Sequence, residues 1–192
     1  MSNRDKFISL VKENIHRNGV SFLLDWLEHE TDFFISPAST KYHGACEGGL
    51  VAHSLEVYNQ FCKIAPVFSY DMSNKLMTES ATIVTLFHDI CKVDNYTKTF
   101  KNVKNPETGK WELEEGYIYN QNGNLFGAHG ASSLFYINQH MKLNFVESTA
   151  IYHHMGAWDA SKYDNVASVY EWNKLAWLLH IADEASTYLE GK

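Results

Sequence analysis

Residues 47–57 read EGGLVAHSLEV, and residues 86–93 read LFHDICKV. In the first stretch, Leu50, His53 and Val57, continued by Phe61, recur at i, i+3/i+4 spacing. They share one face of a helix predicted from about Leu50 to Ile64, opened by Gly48-Gly49 and stopped by Pro66. His53 therefore points toward the apolar interior. In the second stretch, a helix predicted from near Ser73 runs through Ala81, Val84 and Leu86 to the adjacent pair His88-Asp89. Imidazole and carboxylate groups among apolar neighbours carry a desolvation cost. A metal centre is the simplest reason for it, because divalent cations take these nitrogen and oxygen donors where no thiolate is offered.

On either side the pattern stays helical. Residues Asp5 to His16 place Phe7, Leu10, Val11 and Ile15 at helical spacing, and Gly19 punctuates that helix. A short second helix follows, with Phe22, Leu23, Trp26 and Leu27 as its apolar stripe, and residues 36–40 form a loop. The helices within residues 1–40 are expected to pack on the core. Beyond Lys92 the period changes to that of strands. Tyr96 to Val103 and Trp111 to Tyr119 read as a hairpin, joined through Asn105, Pro106 and Gly109. A glycine-rich loop from Gly123 to Gly130 delivers His129. Helices are then predicted from Ala131 to about His140 and from Phe145 to the pair His153-His154, with Gly156 as a stop. The last is predicted from about Val169 to Leu189, with Leu175, Leu178, Leu179 and Ala182 inward and Asp183 at the edge of that face. The expected fold class is mainly α: one domain over residues 1–192, a helical bundle with one inserted β-hairpin at about 96–119.

The chain has 192 residues, 45% of them hydrophobic and 14% aromatic, which suits one packed core rather than a disordered chain. A net charge of −7 disfavours a broad duplex nucleic-acid surface, which needs clustered Lys and Arg. A small anionic substrate is still compatible, since bound cations reverse the sign locally. Cys46, Cys62 and Cys91 form no C-x-x-C pair, and an odd number suggests reduced thiols. The N-terminal segment is charged throughout, and no apolar run approaches bilayer length. A cytoplasmic protein without a membrane partner is expected; a homo-oligomer is permitted but not required.

Two ligand sets can be read from the spacing. His53, His88, Asp89 and Asp183 would complete one site. His129, His153 and His154 are candidates for a second, with Asp89 shared because a carboxylate can bridge two cations. His88 and Asp89 reach one cation only if the backbone turns between them. One or two divalent ions are expected, with Mn, Fe, Mg, Zn, Co and Ni all compatible.

Taken together with FGAHGASS (126–133), YHHMG (152–156) and LLHIADEAS (178–186), the two opening stretches resemble the HD-domain metal-dependent phosphohydrolase superfamily. The resemblance covers roughly Lys41 to Tyr188. Its core is a His, a His-Asp pair and a distant Asp, here His53, His88-Asp89 and Asp183. His129 and His153-His154 are similar to the pattern of the two-metal branches, and several stretches resemble the HD domain of bacterial HD-type exoribonucleases. No Gly-Tyr-Pro motif follows the paired histidines, and there is no room for the separate nucleic-acid-binding domain of those exoribonucleases. The resemblance implies hydrolysis of a phosphoester or phosphoanhydride of a nucleotide or similar small substrate by metal-activated water. It makes Asp89 and Lys92 the catalytic centre, with Lys92 near the substrate phosphate. An exonuclease or phosphodiesterase acting on single-stranded RNA or DNA is the first alternative. A non-catalytic, metal-retaining nucleotide sensor is the second.

Other residues carry weaker signals. Trp158 can stack on a nucleobase, although core packing is an equal reading. Tyr96, with Lys98, Phe100, Lys101 and Lys104, can contact a nucleotide, although a solvated strand face is slightly favoured and Glu112, Glu114 and Glu115 offset its charge. His43 precedes the glycines that lead to His53 and can lie near the site, although an ordinary polar residue is the favoured reading. His180 is read as packing on or supporting Asp183 rather than as a ligand. His16, His29 and His140 sit among polar neighbours and are read as solvated.

Overall fold

Ser2 opens the first helix through a reciprocal cap. Its hydroxyl accepts from the Asp5 amide, and the Asp5 carboxylate accepts from the Ser2 amide. A computed structural model of the chain describes residues 1–120 and 127–188, and in it α1 spans Asn3–Asn14. α2 spans Val20–His29, entered from Gly19. α3 spans Gly49–Ile64, and α4 spans Lys75–Phe87, capped by the Asn74 side chain. After α4 come β1 at Tyr96–Lys104 and β2 at Trp111–Tyr119. α5 at His129–His140, α6 at Phe145–Tyr152, α7 at Val166–Trp172 and α8 at Lys174–Tyr188 complete the described chain.

The expected mainly helical architecture with one hairpin is observed. α3 lies at the centre, packed against α8, α4 and α1. Leu50, His53, Val57 and Phe61 all fall on its buried side, as their spacing predicts. In α4 every residue from Ala81 to Phe87 is buried, so this helix is enclosed rather than amphipathic at its C-terminal end. Its threonines tolerate that burial because Thr82 and Thr85 donate back to the carbonyls of Thr78 and Ala81. A fully buried carboxylate, Glu147, ties the N-terminal segment to α4 and α6. It pairs with Arg17, accepts from the Ser80 hydroxyl and closes the α6 capping box with Asn144. Burial alone would raise its pKa; these donors outweigh it and hold the carboxyl below its ordinary range.

The hairpin is antiparallel, with Tyr96 opposite Tyr119 and Lys104 opposite Trp111. It leans on the loop that precedes α3. Lys98 pairs with Glu47 at 2.7 Å, and Lys101 donates to the Thr40 carbonyl at 3.1 Å.

Three boundaries differ from the sequence reading. The single last helix is two helices. Asn173 breaks it, because its side-chain oxygen accepts from the Ala176 amide and its side-chain nitrogen donates to the Val146 carbonyl. α5 starts at His129 itself, not after it. Phe22, read as part of the α2 stripe, is 70% exposed, and Leu24 is buried on that helix in its place. The first half of the predicted loop from Gly123, and Leu189 at the end of the last helix, lie outside the described residues. No helix among the described residues is long and apolar enough to cross a membrane.

Candidate metal centre

The break at the end of α4 makes the site possible. The helix stops at Phe87, and Asp89 has φ −112° and ψ 16°, outside the helical run. The chain turns there, so the side chains of His88 and Asp89 face the same interior point. α3 brings His53 to that point, and α8 brings Asp183. Asp183 Oδ1 lies 3.1 Å from His53 Nε2 and 3.8 Å from His88 Nε2. Asp89 Oδ2 lies 3.5 Å from His53 Nε2 and 3.6 Å from His88 Nε2. Ligands about 2.1 Å from a common cation stand roughly 3.0–3.4 Å apart in octahedral or tetrahedral geometry. The four spacings match that range or exceed it slightly.

The other face of Asp89 meets His154, whose Nε2 is 3.6 Å from Asp89 Oδ1. Asp89 thus stands between the His53 and His88 nitrogens on one side and the His154 nitrogen on the other. Two buried groupings have ligand atoms all within 4.8 Å of one another: His53 with His88 and Asp89, and His88 with His154 and Asp183.

Each histidine is held by its other nitrogen. His88 Nδ1 is 2.9 Å from the Thr85 carbonyl, and His154 Nδ1 is 2.7 Å from the Ile151 carbonyl. A carbonyl only accepts, so both Nδ1 atoms carry the proton when the ring is neutral, and both Nε2 lone pairs face the centre. His53 follows the same logic. Ser186 donates its hydroxyl proton to the Asp183 carbonyl at 2.8 Å, so its oxygen, 3.2 Å from His53 Nδ1, accepts from that ring. The consequence is a set of buried atoms without hydrogen-bond partners: His53 Nε2, His88 Nε2, His154 Nε2 and Asp89 Oδ1. Burying even one such group without a partner costs on the order of 1–3 kcal/mol. Four of them, gathered around Asp89, fit one or two cations that would satisfy them.

Electrostatics agree with this. Burial would raise the Asp89 pKa, but Lys92 at 2.5 Å and the surrounding histidines hold it well below the ordinary carboxylate range. Burial likewise opposes the charge of Asp183, and His53 and His88 outweigh it, so this carboxyl is also held low. For His53 and His154 burial pushes down and the aspartates push up harder, leaving both raised. Burial dominates at His88 and takes it down to about 4. Lys92 is buried, which lowers its pKa, yet Asp89 raises it further and keeps the ammonium charged.

The residues singled out from the sequence divide as follows. His53, His88, Asp89, His154 and Asp183 converge. Lys92 joins them through Asp89. His129 is half-buried and lines the same cavity of about 600 Å³ as His53, Asp89, Lys92 and Asp183. It is placed by the start of α5, where its amide donates to Asp159 at 2.6 Å. The close fit of α5 on the end of α6 needs Gly130, where a Cβ would come within 2.3 Å of the Tyr152 carbonyl oxygen. His153 is not brought into the cluster. Its ring packs edge-on to Tyr152, and its charged neighbour is Asp164. Trp158 lines the cavity and is 78% exposed, which makes it a rim residue rather than core. The Tyr96 hydroxyl is 3.4 Å from the Ala38 carbonyl and its ring packs on Tyr119, so it braces the hairpin against the loop before α3. His180 donates from Nδ1 to the His154 carbonyl at 2.7 Å and supports the site from outside.

His43, which the sequence favoured as an ordinary polar residue, lies at the site. Its ring lies 4.8 Å from that of His53 and lines the cavity, and burial lowers its pKa to about 4. The only available signal was its position just before the glycines that open α3. No protein-family model matches the chain, and no curated protein or solved structure matches it either.

Proposed function

We propose that the chain is an HD-type metal-dependent phosphohydrolase acting on a nucleotide or a similar small phosphorylated substrate. The observation that carries this reading is the convergence of His53 Nε2, His88 Nε2, His154 Nε2 and Asp89 Oδ1 as buried atoms without partners, beside a largely buried lysine, with His53, Asp89 and Lys92 lining a cavity. His53, His88, Asp89 and Asp183 would hold one divalent cation; Asp89, His154 and His129 would hold or flank a second. A cation bound there supplies an activated water and neutralises charge on phosphoryl oxygens.

The chain's own residues do the rest. The Thr85 and Ile151 carbonyls keep His88 and His154 in the tautomer that presents Nε2 inward. Burial of the cluster lowers the local dielectric and strengthens each charge–charge contact there. The Lys92 ammonium, paired with Asp89 in this state, is a cation able to receive a phosphate oxygen. Trp158 at the rim offers a flat apolar face to whatever the phosphate is attached to.

The test is a turnover screen of nucleoside mono-, di- and triphosphates, cyclic nucleotides and short oligonucleotides, each with Mn²⁺, Mg²⁺, Co²⁺ and Ni²⁺. Phosphoester or phosphoanhydride cleavage is expected with at least one metal and is abolished by a chelator. Faster cleavage of an oligonucleotide than of any mononucleotide moves the substrate to single-stranded nucleic acid. Tight nucleotide binding without turnover across all four metals makes the protein a sensor and ends the hydrolase reading.

A further inference from the structure

We infer that His43 is a substrate-binding residue, one that donates a ring N–H to an oxygen of the phosphoryl group held at the metal centre. This rests on the phosphohydrolase reading above. Both ring nitrogens of His43 are buried and neither has a hydrogen-bond partner. The ring lines the cavity beside His53, yet His43 is in neither grouping of metal-ligating atoms among the described residues. An imidazole so placed lacks two bonds that water or a neighbour would normally supply, and a bound acceptor in the cavity would supply one of them.

The loop that carries it is built to keep it there. The Ala38 amide donates to the Gly44 carbonyl at 2.8 Å, the Ser39 hydroxyl donates to the His43 carbonyl at 2.9 Å, and the Tyr42 amide donates to the Ser39 oxygen at 2.9 Å. Gly44 adopts φ 60°, where glycine is favoured. Opposite it, a Cβ on Gly49 would come within 1.9 Å of the Gly44 carbonyl oxygen, so the loop seats directly on the start of α3 only because residue 49 has no side chain. Lys101 and Lys98 fasten the same loop to the hairpin. These contacts hold an imidazole with two unpartnered nitrogens in the wall of the cavity, beside His53.

Calorimetry with two probes on the full chain tests this: Mn²⁺ alone, then inorganic phosphate added to the Mn²⁺-loaded protein. His43→Ala is expected to bind Mn²⁺ as the natural chain does and phosphate about tenfold more weakly, the size expected for one hydrogen bond to a charged group. His43→Asn keeps an N–H donor and is expected to recover part of that loss; it also carries the test if the alanine variant loses its helical circular dichroism. Unchanged phosphate affinity in folded His43→Ala overturns the assignment and leaves the hydrolase reading standing. Loss of Mn²⁺ from a folded variant makes His43 a ligand and overturns it too. Failure of the Mn²⁺-loaded natural chain to bind phosphate removes both readings.

Discussion

Asp89→Ala is expected to remove bound metal and hydrolysis in one step. Asp89 is the residue on which the cluster is organised, with Oδ2 facing His53 and His88 and Oδ1 facing His154. Even an outer partner of a metal ligand contributes roughly 10–100-fold to metal affinity, so loss of this carboxylate should weaken binding by at least about 100-fold. Turnover should fall by about a thousandfold or more, which corresponds to roughly 4 kcal/mol of activation free energy. A second effect is separable. Lys92 sits 2.5 Å from Asp89, and removing its partner leaves a largely buried ammonium unpaired, a change that costs up to roughly 3–5 kcal/mol. Adding Lys92→Met to Asp89→Ala should restore much of the folding stability without restoring metal. Elemental analysis, denaturant titration and a hydrolysis assay read the three quantities. Retention of both metal and activity in folded Asp89→Ala rules out the assignment.

Stabilisation by Mn²⁺ is expected to be large near neutral pH and to shrink on acidification. At about 100 times its dissociation constant, a ligand that binds only the folded state adds about 2.7 kcal/mol. For a chain of this size that is roughly 5–10 °C in the melting midpoint. The pH dependence follows from two histidines. His53 and His154 are raised in the metal-free protein: burial opposes their charge, and Asp183 and Asp89 outweigh it. A raised pKa means that the protonated rings stabilise the metal-free fold. That contribution is complete below the unfolded value of about 6.5 and is lost as pH rises through the folded value. The same protonation takes the Nε2 lone pairs from the cation. This competition between proton and cation for the same nitrogens reduces the gain from Mn²⁺ as pH falls toward about 6.5. Asp89 and Asp183 are held low, so their contribution is present above the unfolded value of about 3.9 and is lost only in stronger acid. His88, at about 4, stays neutral throughout the window. Melting curves with and without Mn²⁺ between about pH 6 and about pH 8 check this. A gain that is constant, or that grows on acidification, contradicts it.

What the sequence made legible was whatever helical period controls. His53 and Asp183 occur within or at the edge of apolar repeats, so their inward direction follows from 3.6 residues per turn, whereas His88 and Asp89 converge only through the turn after α4. The hairpin registered because alternation and a Pro-Gly turn are local signals. Position 173 escaped because apolar spacing continues across it from Val169 to Leu175; only the Asn173 bonds to Ala176 and Val146 break the helix. Neighbouring histidines pose a similar problem. At the end of α6 the Ile151 carbonyl takes the His154 ring, while His153 turns toward Tyr152, and no repeat distinguishes the two. His43 carried only a positional signal, for a different reason. A loop has no period, and the bonds that bend residues 38–44 over α3 depend on glycine geometry and on contacts with the hairpin. The convergence of the cluster itself is a tertiary fact: α3, the turn after α4, the end of α6 and α8 meet there from four separate parts of the chain.

Anomalous diffraction at the manganese edge, from crystals grown with Mn²⁺, decides whether these side chains form a metal centre. The expected result is a strong peak enclosed by His53, His88, Asp89 and Asp183, with any second peak on the His154 side of Asp89. A map with no peak among these residues, or with manganese only on surface carboxylates elsewhere, contradicts it.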